Sequence, residues 1–381
     1  MRKRQFTALG GWLLLFLLLC AVAVSGMAPQ VWGGVVLLLV LPVGTWGMNF
    51  LLKEKLEAEL KMPSTAEKGK EVQAEVTIQN HARIPAVHLF CTVQAENRLT
   101  GENSILELVM SVPAGGSGKS EFTICGTHCG YIHTEISKVT VMDWFGFLPF
   151  RIPCKSDGRT SILPNTFSTE VSLQIPYCQQ DEEENYAPDR KGNDASEIFQ
   201  LRDYVPGDPV KQIHWKLSSK LNHILIKEAS LPVSRSLLVF WDKNTEEASP
   251  DEMDAMAESV SSICQALSQD GVQYTLGWTD GQEICQEEAF TLEELLRLLP
   301  QMLKNGQNSV EDGVSLWMDA YGRAEYGKII YFAKRIPESL EEFSGGEISI
   351  LLCDGIPADN RWNTMVYHAQ TFAEDLQMVV L

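Results

Sequence analysis

Between Arg202 and Lys220 the chain reads RDYVPGDPVKQIHWKLSSK. These residues hold the groups of a hydrolytic centre. Asp203 or Asp208 would orient His214, and His214 would take the proton of Ser218 as a general base. The setting of a serine nucleophile is missing, however. There is no G-x-S-x-G elbow, and Ser218-Ser219 run into Lys220 rather than a glycine turn. No Walker A loop, Rossmann glycine motif or H-E-x-x-H occurs in the sequence.

The same stretch has a second reading. Pro206-Gly207 suits a type II turn, with Gly207 supplying the positive φ. Asp208 can accept backbone hydrogen bonds there, and Arg202 can clamp a carboxylate with its guanidinium fork. Ile213 and Trp215 alternate with His214 and Lys216, so one face packs inward. Arg, Tyr and Trp together are also the composition of binding hot spots. Arg202, Tyr204, Gly207, Asp208, His214, Trp215 and Lys216 are therefore expected to bind a partner or brace neighbouring domains, not to catalyse.

Metal ligands are the other chemistry to weigh. Cys125 and Cys129 form a lone C-x3-C, with His128 and His133 near it. The nine cysteines are odd in number and scattered, unlike a disulfide framework. Reduced cysteines in strands are the expectation, not a zinc site.

Phe6–Ser25 and Val31–Leu52 carry no charge. Each matches the roughly 20 residues of a membrane-crossing helix. The short uncharged link from Gly26 to Gln30 makes them a hairpin, with Trp12, Trp32 and Trp46 placed for the interfaces. A signal peptide is the competing reading of the first stretch. It loses because the apolar run is long and a second follows at once. Arg2, Lys3 and Arg4 precede the pair, Lys53, Lys55 and Lys61 follow it, and the link has no basic residue. Both termini and the soluble domains are thus expected in the cytoplasm.

Past the hairpin the period becomes two. EVQAEVTIQN, AVHLFCTVQAEN, SEFTICGTHCGYI and ISKVTVMDWFGF alternate polar and apolar residues. Short alternating strands at this spacing predict an all-β sandwich-like domain over residues 62–165. LLKEKLEAEL, before it, reads as a helical or extended exit from the membrane. From 233 to 381 buried-type strands (SLLVFWD, VQYTLGWTD, KIIYFAK, EISILLCD) alternate with helical patterns. TLEELLRLLPQML opens on a Thr291–Glu294 capping box. TMVYHAQTFAEDL is expected to be a helix and QMVVL a last strand. The alternation predicts a doubly wound α/β domain. The layout is an N-terminus of residues 1–5, a transmembrane hairpin (6–52), the β domain, a signature segment (166–232) and the α/β domain.

The order and wording of these parts resemble a known family. RDYVPGDPVKQIHWKLSSK, then LNHILIKE and SLLVFWD, closely resembles the signature of the bacterial domain-of-unknown-function family 58 (DUF 58). CGYIHTEISKVTVMDWFGF looks like that family's strand pair ending in an Asp-x-Phe-Gly turn. The resemblance implies a degenerate von Willebrand factor A-like last domain. Such domains bind a divalent cation through Asp-x-Ser-x-Ser after the first strand. Here the matching residues are Asp242-Lys243-Asn244-Thr245-Glu246. Asn and Glu replace both serines, Lys243 adds a positive charge, and Lys334-Arg335 stand where another acid is expected. Asp242, Asn244 and Glu246 remain weak metal candidates, and no cofactor is expected. The resemblance also implies work with a MoxR-type AAA ATPase and a transglutaminase-like membrane protein.

Charge narrows the partners further. With 50 acidic and 31 basic residues the net charge is −19. That argues against nucleic acid, which needs a basic face. Lipid contact is expected only through residues 6–52. The expectation is a membrane-anchored cytoplasmic interaction or assembly module. The alternatives are a hydrolase built on the signature motif and a metal-dependent von Willebrand A-type binding module.

Overall fold

The computed structural model describes residues 2–25, 30–173, 186–191, 198–203, 218, 225–232, 237–307, 311–357 and 361–381. Side chains are described for these except at 2–9, 186–191, 198–203 and 225–232. The chain divides into two compact units, Met1–Leu163 and Pro164–Leu381.

The first unit opens with α1 (Arg2–Val24) and α2 (Val31–Met48), which pack on each other. A 3-10 turn over Asn49–Leu52 continues α2. Among the described residues one helix, Val31–Leu52, is long and apolar enough to cross a membrane, with a mean hydropathy of 2.0; the apolar stretch Gly10–Val24 is shorter. Pro42 interrupts α2 without ending it. Three residues on, the Thr45 hydroxyl donates to the Leu41 and Pro42 carbonyls.

Nine strands follow: β1 (Leu56–Lys61), β2 (Thr65–Glu67), β3 (Glu71–Asn80), β4 (Ala86–Asn97), β5 (Asn103–Val112), β6 (Ser117–Cys125), β7 (Gly130–Met142), β8 (Pro149–Ile152) and β9 (Asp157–Leu163). They form two sheets, ordered β1-β3-β6 and β2-β9-β7-β4-β5, with β8 pairing β7. All pairs are antiparallel except β2 with β9. Strand alternation builds the core: Val72, Ala74, Val76 and Ile78 from one sheet meet Leu89, Cys91, Val93 and Val139 from the other. The exit segment is settled as extended from Leu56, so the sheet begins before the expected residue 62. Leu56 and Leu60 explain this, because both are buried in that core.

At the start of β7, Gly130 has φ +140 and its backbone lies against the Asn97 side chain. Asn97 is itself buried and bonded, donating to the Cys129 carbonyl and accepting from Leu99 N–H. Gly130→Ala is expected to cost about 1–3 kcal/mol from backbone strain alone. A chemical melt of the full chain in detergent checks this, and an unshifted midpoint would refute it.

The second unit contains β10 (Glu170–Ser172), β11 (Tyr186–Lys191), β12 (Ile198–Asp203), β13 (Leu225–Pro232), β14 (Leu237–Trp241), α3 (Pro250–Gln269), β15 (Tyr274–Asp280), β16 (Glu283–Ala289), α4 (Leu292–Met302) and α5 (Gly313–Tyr321). It continues with β17 (Lys328–Ala333), α6 (Leu340–Phe343), β18 (Glu347–Cys353), β19 (Asn363–Tyr367), α7 (Phe372–Asp375) and β20 (Met378–Val380). Its main sheet runs β16-β15-β14-β17-β18-β19. The pairs are parallel except at the β16 edge. On one face Leu238, Phe240, Ile329, Tyr331 and Ile350 pack against Val314 and Trp317 of α5 and Phe343 of α6. Alternation sends Trp241, Phe332 and Cys353 to the other face. There the Cys353 thiol meets the Glu252 carbonyl of α3. The Thr291–Glu294 capping box is present at α4, and Ser249–Glu252 makes a second at α3.

One expectation is corrected. TMVYHAQTFAEDL is not a helix: its first part is β19, parallel to β18, and only Phe372–Asp375 is helical. The open edge of β18 and the burial of Tyr367 outweigh the helical spacing of its apolar residues. QMVVL is the last strand as expected, β20, and it pairs with β10.

Candidate functional site

The polar residues best organised by the second unit lie just past the carboxyl ends of β14 and β15. Asp242 follows β14, and its N–H donates to Phe332 O at 2.9 Å, which holds the chain beside β17. Its carboxylate is almost wholly buried. Oδ2 accepts from Tyr331 Oη at 2.7 Å and from Gly313 N at 2.8 Å. Oδ1 accepts from Asn244 N at 2.9 Å. Burial pushes the Asp242 carboxyl up to about 6, although the three hydrogen bonds oppose it. The Tyr331 phenol is held well above its ordinary range, first by burial and then by the Asp242 charge.

Gly313 is required at the first turn of α5. A Cβ there would run into Thr279 and the Asp242 carboxyl group. Just before it, Asp312 caps α5 by accepting from Ser315 N at 2.9 Å, and it also accepts from Ser339 Oγ at 2.7 Å.

Lys243 points away from this cluster and is equally buried. Its Nζ donates to Met302 O at 2.8 Å and to Asn305 O at 2.6 Å, and lies 5.0 Å from the centre of the Trp241 ring. Those contacts satisfy an ammonium. Burial pulls its pKa down, to about 7. The Lys243 backbone N–H donates to Thr279 Oγ1 at 2.9 Å, tying the β14 and β15 loops together.

The weak metal candidates do not converge. Asp242 is spent on three protein donors, Asn244 turns its amide to Gly281 O at 2.9 Å, and Glu246 is exposed. Among the described residues no three His, Cys, Asp or Glu side chains gather as ligands. In the first unit Cys125 is exposed, Cys129 is buried, and His128 Nδ1 lies 2.8 Å from Glu102 Oε2. What the Asp242 cluster can do is fix the loops after β14 and β15 against α5.

Of the signature residues, Arg202 lies in β12, its backbone opposite Ile226 of β13 in a three-stranded sheet ordered β11-β13-β12. Tyr204, Gly207, Asp208, His214, Trp215 and Lys216 lie outside the described residues. Ser218 is buried. An open groove of about 530 Å³ lies further along the sheet. Ile336, Pro337, Leu340 and Trp362 line it, with Arg361 paired to Glu341. Sequence reasoning missed Tyr331, Gly313, Asp312 and Thr279. The only signal was Asp242 at the end of an apolar strand, because Tyr331 reads as one more member of KIIYFA.

No family model matches the sequence, and no curated protein matches it. Solved structures similar to parts of the chain include a CARDB domain from Pyrococcus furiosus at 16% identity. That match covers 28% of this chain and 94% of that domain with a TM-score of 0.21. Red sea bream transglutaminase is 13% identical over 29% of this chain and 15% of its own, with a TM-score of 0.22. A Listeria innocua beta-glucosidase is 14% identical over 29% and 16%, with a TM-score of 0.20.

Proposed function

We propose that the chain is a membrane-anchored protein-interaction module. The observation that carries this reading is the helix Val31–Leu52, which leaves Val36, Leu37, Val40 and Val43 more than half exposed. Each such side chain left in water forgoes more than half of the roughly 1.5–3 kcal/mol that full burial supplies, so a lipid surround is the environment that stabilises it. In this reading α1 is a second span, and the basic residues on either side of the pair place both termini in the cytoplasm. The second unit is a degenerate von Willebrand A-like domain, with Asp242 serving the fold where relatives of that type hold a cation. The signature segment and the groove by Trp362 are the surfaces offered to a partner. The DUF 58 resemblance makes a MoxR-type AAA ATPase and a transglutaminase-like membrane protein the partners to test.

The chain is expected to stay in the membrane pellet through alkaline carbonate extraction and to leave it only with detergent. A reporter fused after Leu381 is expected to work as a cytoplasmic enzyme. Release by carbonate would sink the anchor, and a reporter active only outside the cytoplasm would sink the orientation. Affinity capture of the detergent-solubilised chain, with and without ATP, followed by mass spectrometry tests the partner class.

A further inference from the structure

The turn between β7 and β8 exposes three large apolar side chains: Trp144 is 50% exposed, Phe145 40% and Leu148 38%. Their exposure is built in. Asp143 is fully buried and accepts hydrogen bonds from three backbone groups of the turn, Phe145 N at 3.0 Å and Phe147 N and Leu148 N at 2.6 Å each. Asp143 N and O also bond Leu148 O and Gly146 N. Gly146 takes the φ of +76 that closes the loop. A loop pinned this way cannot fold its aromatic residues back into the core.

The turn is fastened to the apolar helices. Trp46 Nε1 donates to Pro149 O at 3.3 Å, and Asn49 Nδ2 donates to Met142 O at 3.2 Å, so the end of α2 grips both strands of the hairpin. Trp46 and Phe50 both stand edge-on to Phe150. From α1, Trp12 meets Phe147 with ring centres 5.7 Å apart. At 1.5 Å per residue, Trp12 lies about 9 Å along the apolar stretch that starts at Phe6. Phe147 is therefore level with apolar helix surface, and its neighbours Trp144 and Phe145 are exposed beside it.

We propose that Asp143–Leu148 is a membrane-interface wedge: a rigid aromatic turn that enters the lipid headgroup–acyl boundary beside the helices. It rests on the membrane-anchor reading. The apolar surface of the helices continues into the turn, and Trp and Phe are suited to this boundary because one is amphipathic and the other purely apolar. Exposed Lys53, whose Nζ lies 5.7 Å from the Phe50 ring centre, and exposed Arg151 flank the turn with charge for lipid phosphates. The occupant is lipid, and it sets the soluble part of the first unit close against the bilayer instead of leaving it on a free tether.

The test uses the full chain in phosphatidylcholine–phosphatidylglycerol vesicles, with and without bromine on the acyl chains. Subtracting the emission of Trp144→Phe from that of the parent isolates Trp144. That component is expected to be blue-shifted, quenched by the brominated lipid and protected from aqueous iodide. Quenching by iodide alone, while the other tryptophans still respond to brominated lipid, overturns the wedge and leaves the anchor standing. Quenching by neither means that protein covers Trp144, and overturns the wedge as well. If no tryptophan responds to brominated lipid and the chain does not float with vesicles, the anchor itself has failed and the wedge with it. Phe145→Asp adds an independent reading: an unchanged thermal melt with a red-shifted Trp144 is expected, and an unmoved emission counts against lipid contact.

Discussion

Phe240→Ala is expected to destabilise the second unit by about 3–5 kcal/mol, the usual cost of emptying a buried aromatic site. Phe240 is fully buried in the central strand β14. Its ring lies 5.3 Å from Trp317 and 5.8 Å from both Tyr331 and Phe343. Those neighbours belong to three other elements, and surroundings of this kind relax only partially around a truncated side chain. Gly277, whose absent Cβ would come within 3.1 Å of the Phe240 ring, shows how tightly the site is filled. Against a typical domain stability of about 5–15 kcal/mol, the loss should be plain in calorimetry of the detergent-solubilised chain. Phe290→Ala is the control, because that ring is 49% exposed. Equal melts for parent and Phe240→Ala would show that the cluster is not what holds the sheet to α5.

Asp242→Asn is expected to change the pH dependence of stability more than the stability itself. Burial raises the Asp242 carboxyl from an ordinary 3.8 to about 6. The native state therefore keeps a proton that the unfolded state has released between those values, and stability falls as pH rises from about 4 to 6. Below that window both states are protonated and there is no penalty. Above it the full penalty of burying the charge applies, roughly 3 kcal/mol. The Asn variant has nothing to titrate there. Relative to the parent, it should gain about that amount between pH 4 and pH 7, whatever it loses at Gly313 N and Tyr331. Denaturant melts of both proteins across the range read the difference directly. A constant offset would mean that the three donors around the carboxylate hold it ionised throughout.

Sequence legibility followed burial. SLLVFWD is apolar on both faces, as a strand covered on both sides must be, and it is β14. VQYTLGWTD, KIIYFAK and EISILLCD carry the same signature. The strand β16, EICQEEA, was not foreseen, because an edge strand needs little apolar pattern and its pairing is supplied by β15. The helix α5 is only nine residues, GVSLWMDAY, too short for periodicity to stand out. Asp242 was singled out for its place after an apolar strand. Its partners Tyr331 and Gly313 are 89 and 71 residues away; the register of β14 beside β17 brings Tyr331 near, and the placement of the α5 N-terminus brings Gly313. The Asp-Trp-Phe-Gly sequence was legible as a turn, but its attachment to Trp12 and Trp46 depends on packing no local pattern encodes.

The acidity of β16 bears on how this protein avoids its own kind. A sheet edge offers unpaired N–H and C=O groups to any other strand, and in-register addition of a second copy would set identical side chains side by side. On β16 those side chains include Glu283, Glu287 and Glu288, all exposed. A second copy pairing there would bring carboxylates against carboxylates, so the edge repels strand addition. Salt screens exposed charges of this kind, so a high-salt buffer is the condition that weakens this guard on the edge.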